Sequence, residues 1–212
     1  MDKLNKIHLE HFEGWRFDAL VTQANFKGKW LMDQTFGRGH YRLLGYIVAQ
    51  DPDAEYFDAG TSTGASLMAM LIAMLQRDGK GHVYTCDVSG GEVFNVGWMI
   101  AHYPNYRDRF TVNIGKNEGN MAHKDRIDEA SRCRMVMLDG PHTGDIEDKF
   151  VSGLLERDFK GILIFDDSVA SAAVERIVAK YKPEARKVWD LTEMFHWSGT
   201  TVMDFGENIE VA

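Results

Sequence analysis

Residues 56–66 read YFDAGTSTGAS, and this stretch decides the fold. A β-prone apolar run leads to Asp58, the chain then turns through Gly60 and Gly64, and the apolar segment 67–75 follows at helical spacing. Glycines permit positive φ and a close backbone approach, while a helix start offers free N–H groups to an anion. The pattern predicts a strand, a ligand-binding loop and a helix. A tight turn that binds nothing is the alternative.

The spacing of this loop indicates the kind of ligand. It is Asp-x-Gly-x-x-x-Gly, which departs from the Gly-x-Gly-x-x-Gly of sites for pyrophosphate-bearing dinucleotides. A methionine-type cofactor fits better, and an NAD-linked oxidoreductase is disfavoured. We expect Asp58 to pair with the cofactor's ammonium group, directly or through water, and Ser66 to hydrogen-bond its carboxylate.

Strands and helices alternate on the carboxyl side of residue 55. The patterns predict strands 55–58, 82–87, 110–114, 134–138 and 161–166, separated by helices 64–77, 91–102, 118–130 and 144–156 and followed by a helix near 170–181. Such alternation predicts a doubly wound α/β fold with a mostly parallel sheet. Two further strands, Lys187–Leu191 and Thr200–Phe205, flank a short loop with Ser198-Gly199 and predict an antiparallel C-terminal hairpin, which gives seven strands.

The first 50 residues are expected to add helices to the same single domain of 212 residues. Apolar residues recur at helical spacing over Leu4–Phe26 and again over His40–Gln50. These helices could form a lid or an oligomer contact. We interpret Phe12 and Phe17 as core and leave Trp30 and Tyr41 open; His196 and Trp197 could reach the site from the last loop.

The charge and the apolar runs of the sequence argue against several classes of partner and location. A net charge of −8 without long basic stretches argues against nucleic acid as a partner. No apolar run approaches the roughly 20 residues that span a membrane, and residues 1–15 lack the apolar core of a signal peptide. A cytoplasmic protein is therefore expected. The two cysteines, Cys86 and Cys133, lie in apolar segments and are predicted to be buried thiols.

Acidic residues end three of the predicted strands. Asp87 ends the second, about where nucleotide-binding sheets place an acid that binds ribose hydroxyls, although such an aspartate can also be a helix N-cap. Asp139 follows the fourth strand, and Asp166 and Asp167 end the fifth. Because the carboxyl ends of neighbouring parallel strands share one crevice, the last three acids should converge and could hold Mg²⁺ or another divalent cation. Helix capping and pairing with Lys or Arg are the alternative.

These motifs, in this order and spacing, resemble the class I S-adenosylmethionine-dependent O-methyltransferases that act on small molecules with the help of a metal. The catechol and macrocin types are the relevant ones, and the resemblance covers about 37–205. It implies a Rossmann-like methyltransferase fold. It also implies the following site residues: Gly60, Thr61, Gly64 and Ser66 at the methionine half of the cofactor, Asp87 at the ribose, Gly115-Lys116-Asn117 and Gly140 near the adenine, and Asp139, Asp166 and Asp167 at the metal.

The sequence departs from both types at the general base. The catechol type has a lysine three residues after the first metal ligand, where this chain has His142; the macrocin type has an aspartate two residues after it, where this chain has Pro141. His142 is our candidate base, because imidazole can be neutral at physiological pH and accept a hydroxyl proton. It could instead donate a hydrogen bond to the aspartates. The aspartate at position 167 resembles the macrocin type.

The sequence therefore predicts transfer of a methyl group from S-adenosylmethionine to a hydroxyl of a small molecule, with Mg²⁺ and His142 assisting. We assign Asp139 to both the cofactor site and the metal site. Two alternatives remain: a metal-independent small-molecule methyltransferase, and a nucleotide-binding regulatory protein without catalysis, for which Pro141 is the hint. A homo-oligomer is compatible with either.

Overall fold

The computed structural model describes residues 7–8, 38–62, 64–89, 101, 104–117, 119–195, 197–206 and 208–210. Its α-helices are α1 (Arg38–Gln50), α2 (Ala65–Gln76), α3 (Lys124–Ala130), α4 (Asp145–Leu155), α5 (Ala172–Tyr181) and α6 (Thr192–Phe195). Its strands are β1 (Ile7–His8), β2 (Glu55–Ala59), β3 (His82–Asp87), β4 (Phe110–Ile114), β5 (Met135–Leu138), β6 (Ile162–Asp166), β7 (Lys187–Asp190), β8 (Thr200–Asp204) and β9 (Ile209–Glu210). Short 3₁₀ helices span Pro104–Arg109 and Lys182–Glu184.

Seven of the described strands form one sheet in the order β4-β3-β2-β5-β6-β8-β7. Strand β8 runs antiparallel to both of its neighbours, whereas β2 to β6 are mutually parallel. The predicted fold class is thus confirmed, including the reversed C-terminal strand. The direction of winding changes between β2 and β5, and ligands of doubly wound sheets bind outside the carboxyl ends of the strands at such a point.

Two apolar cores cover the two faces of this sheet. Neighbouring residues of a strand point to opposite faces, so Tyr56 packs with α1 and α2 in one core while Phe57 packs with α4 in the other. All four residues of β5 and all five of β6 are buried. Burial on both faces explains why these strands read as continuous apolar runs rather than as alternating ones.

The strands predicted between 55 and 166 differ from the observed ones by at most one residue at either end. The helix predicted over 118–130 starts only at Lys124, because the described residues 115–117 and 119–123 lie in turns, and Gly119 donates its N–H to Gly115 O. A side chain at Gly119 would collide with the carbonyl of Asp87, so this segment crosses β3 too closely to be helical. The β7–β8 connection contains α6 rather than only a short loop.

The helix predicted over Leu4–Phe26 is wrong at its start. Ile7–His8 is extended and pairs in parallel with Ile209–Glu210, because a strand partner at the C-terminal end satisfies its backbone there. The rest of that segment lies outside the described residues, as do most of the helix predicted over 91–102 and the side chains Phe12, Phe17, Trp30 and His196. The helix predicted over His40–Gln50 is confirmed as α1.

Both cysteines are free and buried, as predicted. Among the described residues, no helix has the length and apolar character to cross a membrane.

Candidate active site

The loop after β2 packs directly against the loop after β5. Gly60 has φ of +108°, and a Cβ at this position would lie 1.9 Å from the carbonyl oxygen of Asp139. The Gly60 and Thr61 N–H groups both donate to Cys86 O of β3, at 2.9 and 3.2 Å. Gly64, with φ of +81°, is the N-cap residue of α2. The glycine spacing is therefore required by close packing and by backbone conformation.

Asp58 is a fully buried carboxylate at the centre of a polar network below this loop. Its Oδ2 accepts hydrogen bonds from Ser66 Oγ at 2.8 Å and Thr85 Oγ1 at 2.9 Å, and Thr85 Oγ1 also bonds Thr61 Oγ1. Its Oδ1 has no hydrogen-bond partner among the described residues. Burial raises the pKa of Asp58 to about 7, against the opposing effect of the bonds from Ser66 and Thr85. A cationic donor would therefore be favoured beside it.

Asp87 connects the end of β3 to the glycine loop. Its Oδ2 accepts from Ser62 N at 2.8 Å, while its Oδ1 accepts from Ser89 N at 2.8 Å and from Ser89 Oγ at 2.6 Å. Burial opposes ionisation, but these hydrogen bonds outweigh it and lower the pKa of Asp87. Asp87 is thus held as a carboxylate at the mouth of the crevice.

Two cavities lie over these residues and share Gly60, Ser62 and Asp139 in their linings. The larger, of about 330 Å³, is also lined by Cys86, Asp87, Val88, Gly119, Asn120, Met121, Gly140, Pro141 and Ile146. The smaller, of about 210 Å³, is also lined by His40, Tyr41, Thr61, Ala65, Ser66 and Met137. Together they follow the glycine loop from β3 to the start of α2.

Three of the predicted cofactor residues, Asp58, Gly64 and Asn117, are absent from both cavity linings, and the structure adds others. Asn117 is exposed and is not part of either lining, whereas Gly119, Asn120 and Met121 line the larger cavity. The glycine and asparagine of that run are turn formers, which is the signal that could have identified it. Tyr41, which the sequence left open, and His40, which the sequence did not single out, line the smaller cavity.

The three predicted metal ligands lie together at the ends of β5 and β6. Leu138 and Phe165 are register partners, so Asp139 and Asp166 emerge side by side. The side chain of His142 joins them: its Nε2 lies 3.6 Å from Asp139 Oδ1 and 3.3 Å from Asp167 Oδ2. One ligand atom from each of Asp139, His142 and Asp167 can be chosen so that all three lie within 4.8 Å of one another.

Asp166 is buried behind this group and contacts other residues. His40 Nε2, from α1, lies 3.6 Å from Asp166 Oδ2, and Thr200 Oγ1, from β8, donates to Asp166 Oδ1 at 3.5 Å. His40, Asp166 and Thr200 all have less than a tenth of their surface exposed. The sequence did not indicate this contact, because His40 is distant in the chain and lies in a segment with the pattern of a core helix.

The concentration of carboxylates changes the protonation of the side chains around them. Asp139 lines the crevice, and 39% of its side-chain surface is accessible there. Most of its surroundings are nevertheless protein atoms rather than water. This desolvation, and then the charges of Asp166 and Asp167, raise the pKa of Asp139 well above its ordinary value. The pKa of Tyr41 is also raised, first by burial and then by the negative charges of Asp139 and Asp166. Its phenol therefore stays protonated.

The backbone that carries His142 is strained and is held by a buried glutamate. His142 has φ of +57° and Asp167 has φ of +52°, a conformation that residues with a side chain rarely adopt and that is concentrated at functional sites. Glu147, in the first turn of α4, accepts His142 N through Oε1 at 2.7 Å and Gly144 N through Oε2 at 2.8 Å. Sequence reasoning did not identify Glu147, which resembles any acidic residue near a helix start.

Comparisons with known proteins agree with this geometry. A protein-family model described as a methyltransferase domain matches residues 57–168, just over half of the chain and the part that carries the glycine loop and the acidic strand ends. No curated protein sequence matches the chain significantly.

Solved structures with the same fold include three methyltransferases. The first is the SAH-bound methyltransferase PaMTH1 of Podospora anserina, at 14% identity and a TM-score of 0.62 over 92% of this chain and 86% of that one. The second is the O-methyltransferase TomG of Streptomyces achromogenes in complex with SAM, at 13% identity and 0.60 over 97% and 100%. The third is an O-methyltransferase of Bacillus cereus in complex with SAH, at 14% and 0.54 over 78% and 80%.

At identities this low, the structural similarity establishes the shared fold and no more. The family match covers the loops that form the site. The resemblance inferred from the motifs is confirmed at this level. The chain belongs to the methyltransferase-domain family, with the class I, Rossmann-like fold.

Proposed function

We propose that this protein transfers the methyl group of S-adenosylmethionine to a hydroxyl of a small molecule. The observation that carries the proposal is the charge of the two cavities. Among their described lining residues there are carboxylates, Asp87 and Asp139, but neither Lys nor Arg. Such walls suit a ligand with a sulfonium and an ammonium group and would repel a pyrophosphate.

The chain offers a matching group for each part of that cofactor. Asp58, whose Oδ1 has no partner among the described residues, is the acceptor we assign to the ammonium group. The start of α2 suits the carboxylate, since the first N–H groups of a helix have no intrahelical acceptor, and Ser66, whose Oγ donates to Asp58, offers its backbone N–H there. Asp87 suits the ribose hydroxyls, and the apolar side chains Val88, Met121 and Ile146 suit the adenine. S-adenosylmethionine, when bound, supplies an electrophilic methyl group on its sulfonium.

The acidic group also fits a divalent cation. Asp139, Asp166 and Asp167 supply the hard oxygen ligands that Mg²⁺ prefers, and two of them approach His142 closely enough to share an ion. A cation held there would act as a Lewis acid on the acceptor's oxygen. The carboxylates themselves orient the acceptor hydroxyl beside the crevice.

His142 is the base in this proposal. Its Nε2 lies between Asp139 and Asp167, and from this position we expect it to accept the proton of the acceptor hydroxyl. Glu147 fixes the backbone that carries it. Most of the acceleration would come from holding acceptor and methyl donor in line, for which roughly 7–11 kcal/mol is attainable.

One observation favours a metal-independent second candidate. Imidazole rings already lie beside all three carboxylates: His142 Nε2 lies 3.6 Å from Asp139 Oδ1 and 3.3 Å from Asp167 Oδ2, and His40 Nε2 lies 3.6 Å from Asp166 Oδ2. In that case the acids would be structural and the acceptor could be an amine or a carboxylate. Full activity in the presence of EDTA would favour this candidate.

The test measures cofactor affinity and turnover in the same variants. Calorimetry with S-adenosylhomocysteine should show binding to the wild type and to Asp167→Asn and His142→Gln, because neither residue lines the larger cavity. Turnover on a panel of hydroxylated compounds should fall at least about 100-fold in both variants, the usual size of a lost general base.

The exposed Asp108, in the 3₁₀ helix that precedes β4, provides a matched control. Asp108→Asn should leave both measurements unchanged. Wild-type protein that does not bind the cofactor product, or variants at 142 and 167 with normal turnover, would contradict the proposal.

A further inference from the structure

Helix α1 contacts Asp166 through the side chain of His40. This residue is buried, and its Nε2 lies 3.6 Å from Asp166 Oδ2. The ring of Tyr41 packs against it edge to face, with the ring centroids 4.2 Å apart. A buried carboxylate is costly unless polar groups compensate it, and α1 supplies one such group.

The second contact on Asp166 comes from the opposite direction. Thr200 is the register partner of Asp166 in the antiparallel β6–β8 pair, and its Oγ1 donates to Asp166 Oδ1 at 3.5 Å. The two oxygens of the carboxylate are thus contacted by different elements, α1 and β8. Rotation of the carboxylate would break both contacts, so together they set its orientation.

We propose that His40 is a positioning residue for the acid group: from α1 it fixes the carboxylate of Asp166 beside Asp139 and Asp167. The inference rests on the proposed function in one respect, namely that these acids bind a divalent cation. It goes further by making a helix that lies outside the matched methyltransferase region part of the cation site. The site is then assembled only when α1 is docked.

The test uses Mn²⁺ as the probe and follows the free-ion signal by electron paramagnetic resonance during titration. His40→Ala should weaken Mn²⁺ binding about 10- to 100-fold, the usual effect of removing a group that orients a metal ligand. His40→Gln should restore most of the affinity, because its amide nitrogen can replace Nε2 as a donor.

Ile47 provides the control for a merely structural effect. It is fully buried on α1, seven residues and about two turns from His40, and it is absent from both cavity linings. Ile47→Ala should lower the denaturation midpoint and leave the Mn²⁺ affinity of the folded protein unchanged. A loss of affinity equal to that of His40→Ala would mean that any weakening of α1 suffices, which would overturn the role of His40.

A double-mutant cycle tests whether His40 affects Mn²⁺ binding through Asp166. If His40 acts through Asp166, then adding His40→Ala to Asp166→Asn should weaken Mn²⁺ binding no further. Additive losses would overturn the inference, as would unchanged affinity in His40→Ala alone. Wild-type protein that transfers methyl groups but binds no Mn²⁺ would overturn both this inference and the metal part of the proposed function, while leaving methyl transfer in place.

Discussion

The α-carbon of Gly60 packs directly against the carbonyl oxygen of Asp139, and nothing larger than a hydrogen fits between them. Gly115 has nearly the same φ, +113° against +108°, but none of the atoms outside its chain neighbours lies within 4 Å of the place where its Cβ would be. The two glycines therefore separate the effect of strain from the effect of collision.

Gly60→Ala should abolish or strongly weaken cofactor binding, whereas Gly115→Ala should only cost about 1–2 kcal/mol of stability for placing a side chain at positive φ. Urea denaturation and calorimetry with S-adenosylhomocysteine would measure both effects. Equal cofactor affinity in the two variants would show that the contact between Gly60 and Asp139 is unimportant for the site.

The buried Asp58 predicts how the stability of the folded protein changes with pH. Its pKa is raised by burial to about 7 in the folded protein, against about 3.9 in an unfolded chain. Between these values the folded state holds a proton that the unfolded state has lost, so the contribution of Asp58 to stability falls as pH rises from about 4 to about 7 and is constant above.

Asp58→Asn should remove this dependence. Relative to wild type, the variant should gain stability as pH rises, by at most about 1.4 kcal/mol per unit, and the gain should end near pH 7. Urea denaturation at pH 5 and pH 8 would measure it. Parallel pH profiles for the two proteins would mean that burial does not hold Asp58 protonated.

At the scale of elements, the start of α4 supports the loop that carries His142. Glu147 accepts backbone hydrogen bonds from His142 and Gly144, and it is buried. Removal of a charged acceptor leaves buried N–H groups without a partner, which costs about 1.5–3 kcal/mol for each bond.

Glu147→Ala should therefore destabilise the protein and lower turnover, while Glu147→Gln, which keeps one carbonyl acceptor, should lose less of both. Asp145→Asn, one residue into the same helix but exposed, should change stability by less than about 1 kcal/mol. Denaturation midpoints and initial rates would be compared. Normal turnover in a destabilised Glu147→Ala protein would mean that the hydrogen bonds from this loop to Glu147 contribute to stability but not to methyl transfer.

The elements also show where sequence reasoning succeeds. Strands β5 and β6 are predicted closely because burial on both faces leaves unbroken apolar runs that end at aspartates. Helix α3 is predicted six residues too early, since the turns that precede it depend on a close approach of Gly119 to Asp87, a contact between distant parts of the chain. Strand β1 is missed because its partner, β9, lies at the other end of the sequence.

In the molecule as a whole, the candidate site depends on the change of winding between β2 and β5. The glycine loop, Asp87, Asp139 and Asp166 follow from local patterns and from the rule that parallel strands end at one edge. The contributions of His40, Tyr41 and Glu147 do not, because they depend on how α1 and α4 pack against the sheet. The described lining residues include Asp87 and Asp139 but neither Lys nor Arg, which connects this geometry to the proposed cationic methyl donor.

The most direct test of the account is a crystal structure determined with S-adenosylhomocysteine and Mn²⁺. We expect the ligand to follow both cavities, with its amino-acid end at Asp58 and Ser66 and its ribose at Asp87, and an anomalous peak for Mn²⁺ at Asp139, Asp166 and Asp167. Ligand density away from the Gly60 loop, or both cavities filled by side chains in the crystal, would contradict it.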